Sequence, residues 1–234
     1  MALRILALET STLDASVAVL EGERILGQLT MDRTRRTAQC FAPAIADQLH
    51  SVLWRPQDVQ LVAVAVGPGS FTGLRVGVTA AKTFAYAVGA EVFGIHTLTV
   101  IARQAPTQAG FISAVLDAQR QQLFVADFHR RDDELTEASQ PRIVDVDQWL
   151  AELSPGTAVT GPGLARLCDR IPAEVQVIAA SHWTPQAATV GRLAYVEYQS
   201  GTRHDLWTLN PRYYRSSAAE EQWRGRSQDR PAPP

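Results

Sequence analysis

Apolar positions in this chain fall into short, sharply bounded runs, and the spacing inside each run predicts an element. Leu3–Leu8, Leu61–Val66 and Phe111–Leu116 are compact, largely apolar runs, too short for core helices and suited to strands buried on both faces. Ala15–Leu20 alternates as a strand, and the Glu21-Gly22-Glu23-Arg24 turn leads into a third strand over Ile25–Thr30. Glu91–Ile95, Leu123–Phe128, Ala158–Thr160 and Val175–Ile178 read as further strands, with Arg142–Val146 as a candidate addition. Helical spacing over Thr37–Leu53 is set by Phe41, Ile45, Leu49, Val52 and Leu53, and Pro43 is expected either to kink that helix or to mark its start. Thr97–Gln104, Leu164–Arg170 and Ala187–Tyr198 are also predicted helices, and Gln148–Leu153 a helical turn. Pro211–Arg215 reads as a last extended segment. From Ser216 onward the sequence is poor in apolar groups and rich in proline and charge, which predicts a disordered tail.

The stretch 61–88, LVAVAVGPGSFTGLRVGVTAAKTFAYAV, carries the strongest local signal. A valine-rich strand stops at Gly67-Pro68-Gly69, and a small-residue helix follows at once, with Ser70 or Thr72 placed to cap it. Leu74, Val78, Ala81, Ala85 and Val88 make one apolar face, suited to a sheet. Gly77, Ala80, Thr83, Phe84 and Ala87 make a second, and Arg75, Thr79, Lys82 and Tyr86 form the remaining polar strip. A helix apolar on two faces is buried on two faces. The second cover is either a partner or the Thr37–Leu53 helix of the same chain, and the sequence leaves both open.

A faint internal repeat organises the whole. Leu6-Ala7-Leu8-Glu9, a polar loop and Ser16-Val17-Ala18-Val19 resemble Ala114-Val115-Leu116-Asp117, a polar loop and Leu123-Phe124-Val125-Ala126. Val64-Ala65-Val66-Gly67-Pro68-Gly69 likewise resembles Ala158-Val159-Thr160-Gly161-Pro162-Gly163, in the same order. A duplicated strand-hairpin-strand-helix-strand unit predicts two similar α/β lobes with a cleft between them. Ala105–Gly110 is the expected junction, giving an N-terminal lobe over 1–105, a smaller lobe over 106–184, and a segment 185–215 packing back on the first lobe.

Composition narrows the chemistry. The 234 residues are 46% hydrophobic and 20% charged with a formal net charge of −2, which suits a globular protein and argues against a general nucleic-acid or membrane-surface binder. Cys40 and Cys168 stand far apart and form no metal motif, and with no apolar run near spanning length the expectation is a cytoplasmic protein. GPGSFTGLR lacks the lysine of a Walker loop, and Thr72 stands where GxGxxG needs its third glycine. Ser70 lacks the flanking glycines of a nucleophile elbow, although Asp145 or Asp169 and His182 or His204 follow it in hydrolase order; a helix cap is the favoured reading. His50, His96, His129, His182 and His204 are scattered, with no i, i+4 pair, so no metal site is expected. Glu9 and Asp117 could meet across the cleft and hold a cation, or each could simply end a strand.

ILALETST, the basic loop of Arg33, Arg35 and Arg36, the helix with Pro43, VAVGPGSFTGLRVGVTAAKTFA, LDAQRQQLFVADF and NPRYYR together resemble the TsaB (YeaZ) family in order and spacing. That resemblance implies a two-lobed actin-like, Hsp70-like ATPase fold, a duplicated ribonuclease H-like α/β arrangement. It also implies a role in making threonylcarbamoyladenosine at position 37 of tRNAs reading codons that begin with adenine. There TsaD is the transferase, TsaB its non-catalytic partner, and the ATPase TsaE joins them. The helical His-x-x-x-His by which TsaD-like members hold a metal has no counterpart in this sequence. The resemblance places an interface with TsaD, or with a second copy of the chain, on the helices 37–53 and 72–88. Its residues here are Thr37, Phe41, Ile45, Phe71, Thr72, Arg75, Val76, Thr79, Ala80, Thr83 and Phe84. Glu9, Thr10, Ser11 and Asp117 would line a vestigial nucleotide cleft with room for weak binding and no required cofactor; tRNA would be met only within the complex, and no membrane is involved. Two stretches depart from the family pattern: 37–45 keeps only Pro43 and Ile45 of the usual HSExLLPxI, and the usual DAR-x-G turn is Asp117-Ala118-Gln119-Arg120-Gln121.

Overall fold

Two five-strand orders repeat one another. The computed structural model describes residues 2–31 and 37–215, with backbone alone for 37–39. The arginine loop 33–36 and the tail from Ser216 therefore lie outside the described residues. In the first lobe β1 (Arg4–Glu9), β2 (Ser16–Glu21), β3 (Arg24–Thr30), β4 (Leu61–Gly67) and β5 (Glu91–His96) make a sheet ordered β3-β2-β1-β4-β5. The first three run antiparallel, and β4 and β5 join β1 in parallel. In the second lobe β6 (Phe111–Asp117), β7 (Gln122–Arg131), β8 (Glu134–Glu137), β10 (Ala158–Thr160) and β11 (Gln176–Val177) are ordered β8-β7-β6-β10-β11 with the same sense at every pairing. A short β9 (Arg142–Asp145) pairs with the other half of β7. The repeat in the sequence is thus a repeat in topology.

Strand alternation decides which core each side chain enters. Leu6, Leu8, Val62, Val64 and Val66 face one side of the first sheet, against α1 (Thr37–Ser51) and α2 (Phe71–Val88). Ile5, Ala7, Leu61, Ala63 and Ala65 face the other, against α5 (Ala187–Gln199). Each fully buried leucine, isoleucine or valine contributes about 1.5–3 kcal/mol. This two-sided burial explains why β1 and β4 read as continuous apolar runs.

Two helices cross between the lobes. α3 (Thr97–Gln104) turns Val100 to the first-lobe core but packs Leu98, Ile101 and Ala102 into the second. α5 follows the second lobe in sequence yet lies on the first-lobe sheet through Ala187, Val190 and Ala194. In the second lobe α4 (Val146–Glu152) sets Trp149 into the core, where its indole N–H donates to Ser113 Oγ at 3.2 Å.

Some elements depart from expectation. Pro43 lies on the exposed side inside α1, so it does not start that helix; Phe41, Ala44, Ile45 and Leu49 hold the helix by packing despite the missing N–H. The helix expected over Leu164–Arg170 is two 3-10 turns, Pro162–Arg166 and Cys168–Arg170, broken at Leu167 with φ −121° and ψ −6°. β8 was not anticipated, because Glu-Leu-Thr-Glu carries too little apolar alternation to mark an edge strand. Pro211–Arg215 forms no strand; it bonds β4 once, from Arg212 N to the Val66 carbonyl at 2.7 Å. Among the described residues no helix is long and apolar enough to cross a membrane.

Candidate functional site

The Gly-Pro-Gly loop receives another part of the chain. Gly69, Gly73 and Gly77 sit four residues apart, and the turn after β1 runs along them. A Cβ on Gly69 would lie 2.4 Å from the Ser11 carbonyl oxygen, one on Gly73 2.1 Å from that of Thr10, and one on Gly77 2.2 Å from Thr10 Oγ1. Ser70 N donates to the Ser11 carbonyl at 2.7 Å, while Ser70 Oγ caps α2 by accepting Gly73 N at 3.2 Å. Ser70 is therefore the cap expected of it. His204, one of its suggested partners, instead accepts Gly94 N at 3.0 Å through Nδ1.

Glu9 and Asp117, which the sequence left either to meet across the cleft or simply to end a strand each, have opposite surroundings. Glu9 ends β1 fully buried and accepts Ser11 N at 2.6 Å. Asp117 ends β6 exposed on the cleft wall and accepts Gln119 N at 2.7 Å. Glu9 does not line the cleft, so the cation pair does not form; Thr10 is likewise packed into α2, and of that trio Ser11 alone reaches the wall. Among the described residues no three His, Cys, Asp or Glu side chains are grouped as a metal would need. After Asp117 the chain turns through Gln119, Arg120 and Gln121, all left-handed at φ 65°, 55° and 62°.

Burial pushes the Glu9 carboxyl up to about 7, against the hydrogen bonds from Ser11 and Thr10 that pull it down. The folded state then holds the proton more tightly than the unfolded chain. The resulting stabilisation is complete below about pH 4.5 and is lost as pH rises to about 7, an effect of about 3 kcal/mol. His96, which burial pushes down to about 4, acts in the opposite sense over an overlapping range. The test is therefore the difference between wild type and Glu9→Gln in urea denaturation from pH 4 to 8. The variant should gain up to about 3 kcal/mol relative to wild type across that rise; parallel curves would show that Glu9 does not titrate there.

The cleft itself measures about 850 Å³ and is lined by Ser11, Asp14, Phe71, Asp117 and Arg120, with the segment Arg212–Arg215 along it. Tyr213 stacks on Phe71 at 4.6 Å, the Tyr214 hydroxyl is 2.8 Å from His96 Nε2, and Arg215 donates to the Ala118 carbonyl and to Gln122 Oε1. The sequence marked this stretch as extended and assigned it no site residue. Its partners lie about a hundred positions away, so spacing alone carried no signal.

The helix faces resolve as follows. Phe41 and Ile45 are 2% and 8% exposed in the first-lobe core, which corrects their expected place at an interface. Val76, Ala80 and Phe84 are half-buried against the same core beside α1, so the covering helix is largely the chain's own. What stays exposed is a stripe, Thr72, Arg75, Thr79, Thr83 and Tyr86, about 21 Å long at 1.5 Å per residue, with Ala87 exposed beside its end. Phe71 begins the helix half-buried with the Arg75 guanidinium 5.2 Å over its ring. Thr37 opens α1.

At the far end of the stripe Trp207, 70% exposed, meets Tyr86 edge-on at 5.7 Å. Its turn is fixed by Asp205 Oδ1, which accepts Trp207 N and Thr208 N at 2.9 and 2.8 Å. Lys82 Nζ donates to the Trp207 and Leu209 carbonyls at 3.1 and 3.0 Å. Sequence reasoning missed Trp207; an aromatic in a polar stretch was the available sign.

A family model described as TsaD, tRNA N6-adenosine threonylcarbamoyltransferase, matches residues 30–206. The tRNA threonylcarbamoyladenosine biosynthesis protein TsaB of Bacillus subtilis is 29% identical over 149 residues, covering 64% of this chain and 65% of its own length, just under two thirds. The protein of the same name from Haemophilus influenzae is 28% identical over 236 residues, covering 96% of this chain and 98% of its own. A crystal structure from Pseudomonas aeruginosa, described as an uncharacterized protein similar to peptidase YeaZ, superposes with a TM-score of 0.79 at 25% identity. That superposition covers 91% of this chain and all of the other. The fold is the two-lobed actin-like, Hsp70-like one.

Proposed function

This chain belongs to the TsaB (YeaZ) family, and from that premise we propose that it is the non-catalytic partner of the TsaD transferase in forming N6-threonylcarbamoyladenosine at position 37 of tRNAs reading codons that begin with adenine. The observation that supports this reading best is the exposed stripe on α2. The helix is held rigidly on its other faces by the sheet, by the Thr10 turn and by α1. Its free face carries short side chains, Thr72, Thr79 and Thr83, flanked by Arg75 and by the Tyr86–Trp207 pair. Short side chains let a second helix approach closely, and aromatic and arginine flanks are the residue types that anchor interfaces. The docking face is thus Thr72, Arg75, Thr79 and Thr83, with Phe71, Val76, Ala80 and Phe84 as its half-buried border.

The occupant is TsaD, or a second copy of this chain when TsaD is absent. The joined surfaces recruit TsaE and meet tRNA only as a complex, in the cytoplasm. No cofactor is required of this subunit.

Thr79→Arg combined with Thr83→Arg places two long cations on the stripe without touching the core. The variant should keep its unfolding free energy within about 0.5 kcal/mol and bind TsaD at least about tenfold more weakly, a loss of about 1.4 kcal/mol. Titration calorimetry against the purified transferase reads both cases. Unchanged affinity would move the interface elsewhere; no complex with wild type would end the proposal of partnership.

A further inference from the structure

We propose that residues 209–215 are a clasp that fixes the angle between the lobes from inside the cleft, in the position where a bound ligand would bridge them. This stands independently of any partner of α2. The first-lobe half of the clasp is anchored three ways. Leu209 enters the core of that lobe, its carbonyl is held by Lys82, and Arg212 N donates to the last valine of β4. Gly67 makes the last contact feasible, since a Cβ there would lie 2.7 Å from the Arg212 carbonyl oxygen, and its φ of 118° is open to glycine. Tyr213 adds its stack on Phe71 at the start of α2.

One residue later the chain changes lobes. Tyr214 packs on the second-lobe core with its ring 6.1 Å from that of Phe124, and its hydroxyl bonds His96 at the point where β5 passes into α3. Arg215 then holds the β6–β7 turn by the Ala118 carbonyl and Gln122. Opening the lobes requires breaking the contacts of one half or the other. A protein whose cleft is bridged by its own covalent chain holds one lobe angle whether or not a small molecule is present.

The experiment places spin labels on Leu13→Cys and Arg166→Cys, exposed sites on opposite lobes, in full-length protein carrying Cys40→Ser and Cys168→Ser. The interlobe distance distribution is then measured with and without Tyr214→Ala and Arg215→Ala, which remove the second-lobe contacts of the clasp together with its bond to His96. The intact clasp should give one narrow distribution. The double variant should widen it about twofold and move its mean outward, as released hinge motion would. Identical distributions in a folded double variant would overturn the proposal. If the double variant does not fold, Arg215→Ala alone, which removes only the bonds to the β6–β7 turn, is expected to widen the distribution in the same direction, and no change there would overturn it equally.

Discussion

Gly73→Ala is expected to destabilise the protein by about 3 kcal/mol, although helix propensity alone would favour alanine by about 1 kcal/mol at that position. The added carbon would lie 2.1 Å from the Thr10 carbonyl oxygen, a backbone atom held by β1, so α2 would have to move outward by more than 1 Å. Gly77→Ala meets a different obstacle, the Thr10 hydroxyl at 2.2 Å, with that side chain's carbons no closer than 3.3 Å. Pairing Gly77→Ala with Thr10→Ala should therefore recover most of the loss, and the same Thr10 change should not recover Gly73→Ala. Gly110→Ala is the control, with nothing within 4 Å of the added carbon; it should be neutral or mildly stabilising. Urea denaturation of the set reads the order directly. Equal losses at Gly73 and Gly110 would mean that the close approach of the Thr10 turn does not govern the motif.

Arg130→Met should be comparably severe, for an electrostatic reason. The Arg130 side chain is buried and donates to the carbonyls of Ala102 and Ala105 at 2.8 and 2.6 Å, and to those of Arg103 and Pro106 at 3.3 and 2.7 Å. These oxygens belong to the C-terminal end of α3 and the connector after it, where Ala102 and Pro106 each also accept a backbone N–H, from Ala105 and Ala109, so one guanidinium both caps the helix and matches its negative end. Methionine fills similar space but leaves the Arg103 and Ala105 oxygens without their guanidinium donor, at about 1–3 kcal/mol for each one that water cannot reach. A total loss of about 3–5 kcal/mol in chemical denaturation is expected. Arg130→Lys should fall between, because an ammonium keeps the charge but lacks the planar fork that spans four acceptors. A methionine variant as stable as wild type would show that the connector does not need its cap.

The sequence announced its elements best where local pattern and packing agree. Thr97–Gln104 is helical over the predicted span, and β4, the turn and α2 follow the reading of 61–88 closely. The duplicated order of strands was legible because the same acid-ending strand and the same Gly-Pro-Gly recur. Most of the failures share one cause. Leu164–Arg170 has helical spacing, but the second Gly-Pro-Gly wedges Gly161 against the Val115 carbonyl and the chain runs on in 3-10 turns. Phe41 and Ile45 were placed at an interface by the family resemblance, whereas the apolar spacing they set is the face that α1 turns inward. Residues 211–215 looked like a strand because their extended shape is local, whereas their bonds to Val66, His96 and Ala118 are not. Gly67 and Gly69 were read as freedom for a turn, and Gly77 as part of an apolar face; Gly69, Gly73 and Gly77 also make room for Thr10 and Ser11, which sequence spacing could not connect.

The exchange of helices between the lobes has a consequence for dissecting the molecule. Cutting at the apparent waist after Ala105 would leave the amino-terminal piece with one side of its sheet stripped of α5 and with Leu98, Ile101 and Ala102 facing water. The carboxyl-terminal piece would lack the helix that closes its own core and would carry α5 with no sheet beneath it. Neither half contains its own complement, so the unit that folds, and the unit that natural variation must preserve, is the interlocked pair.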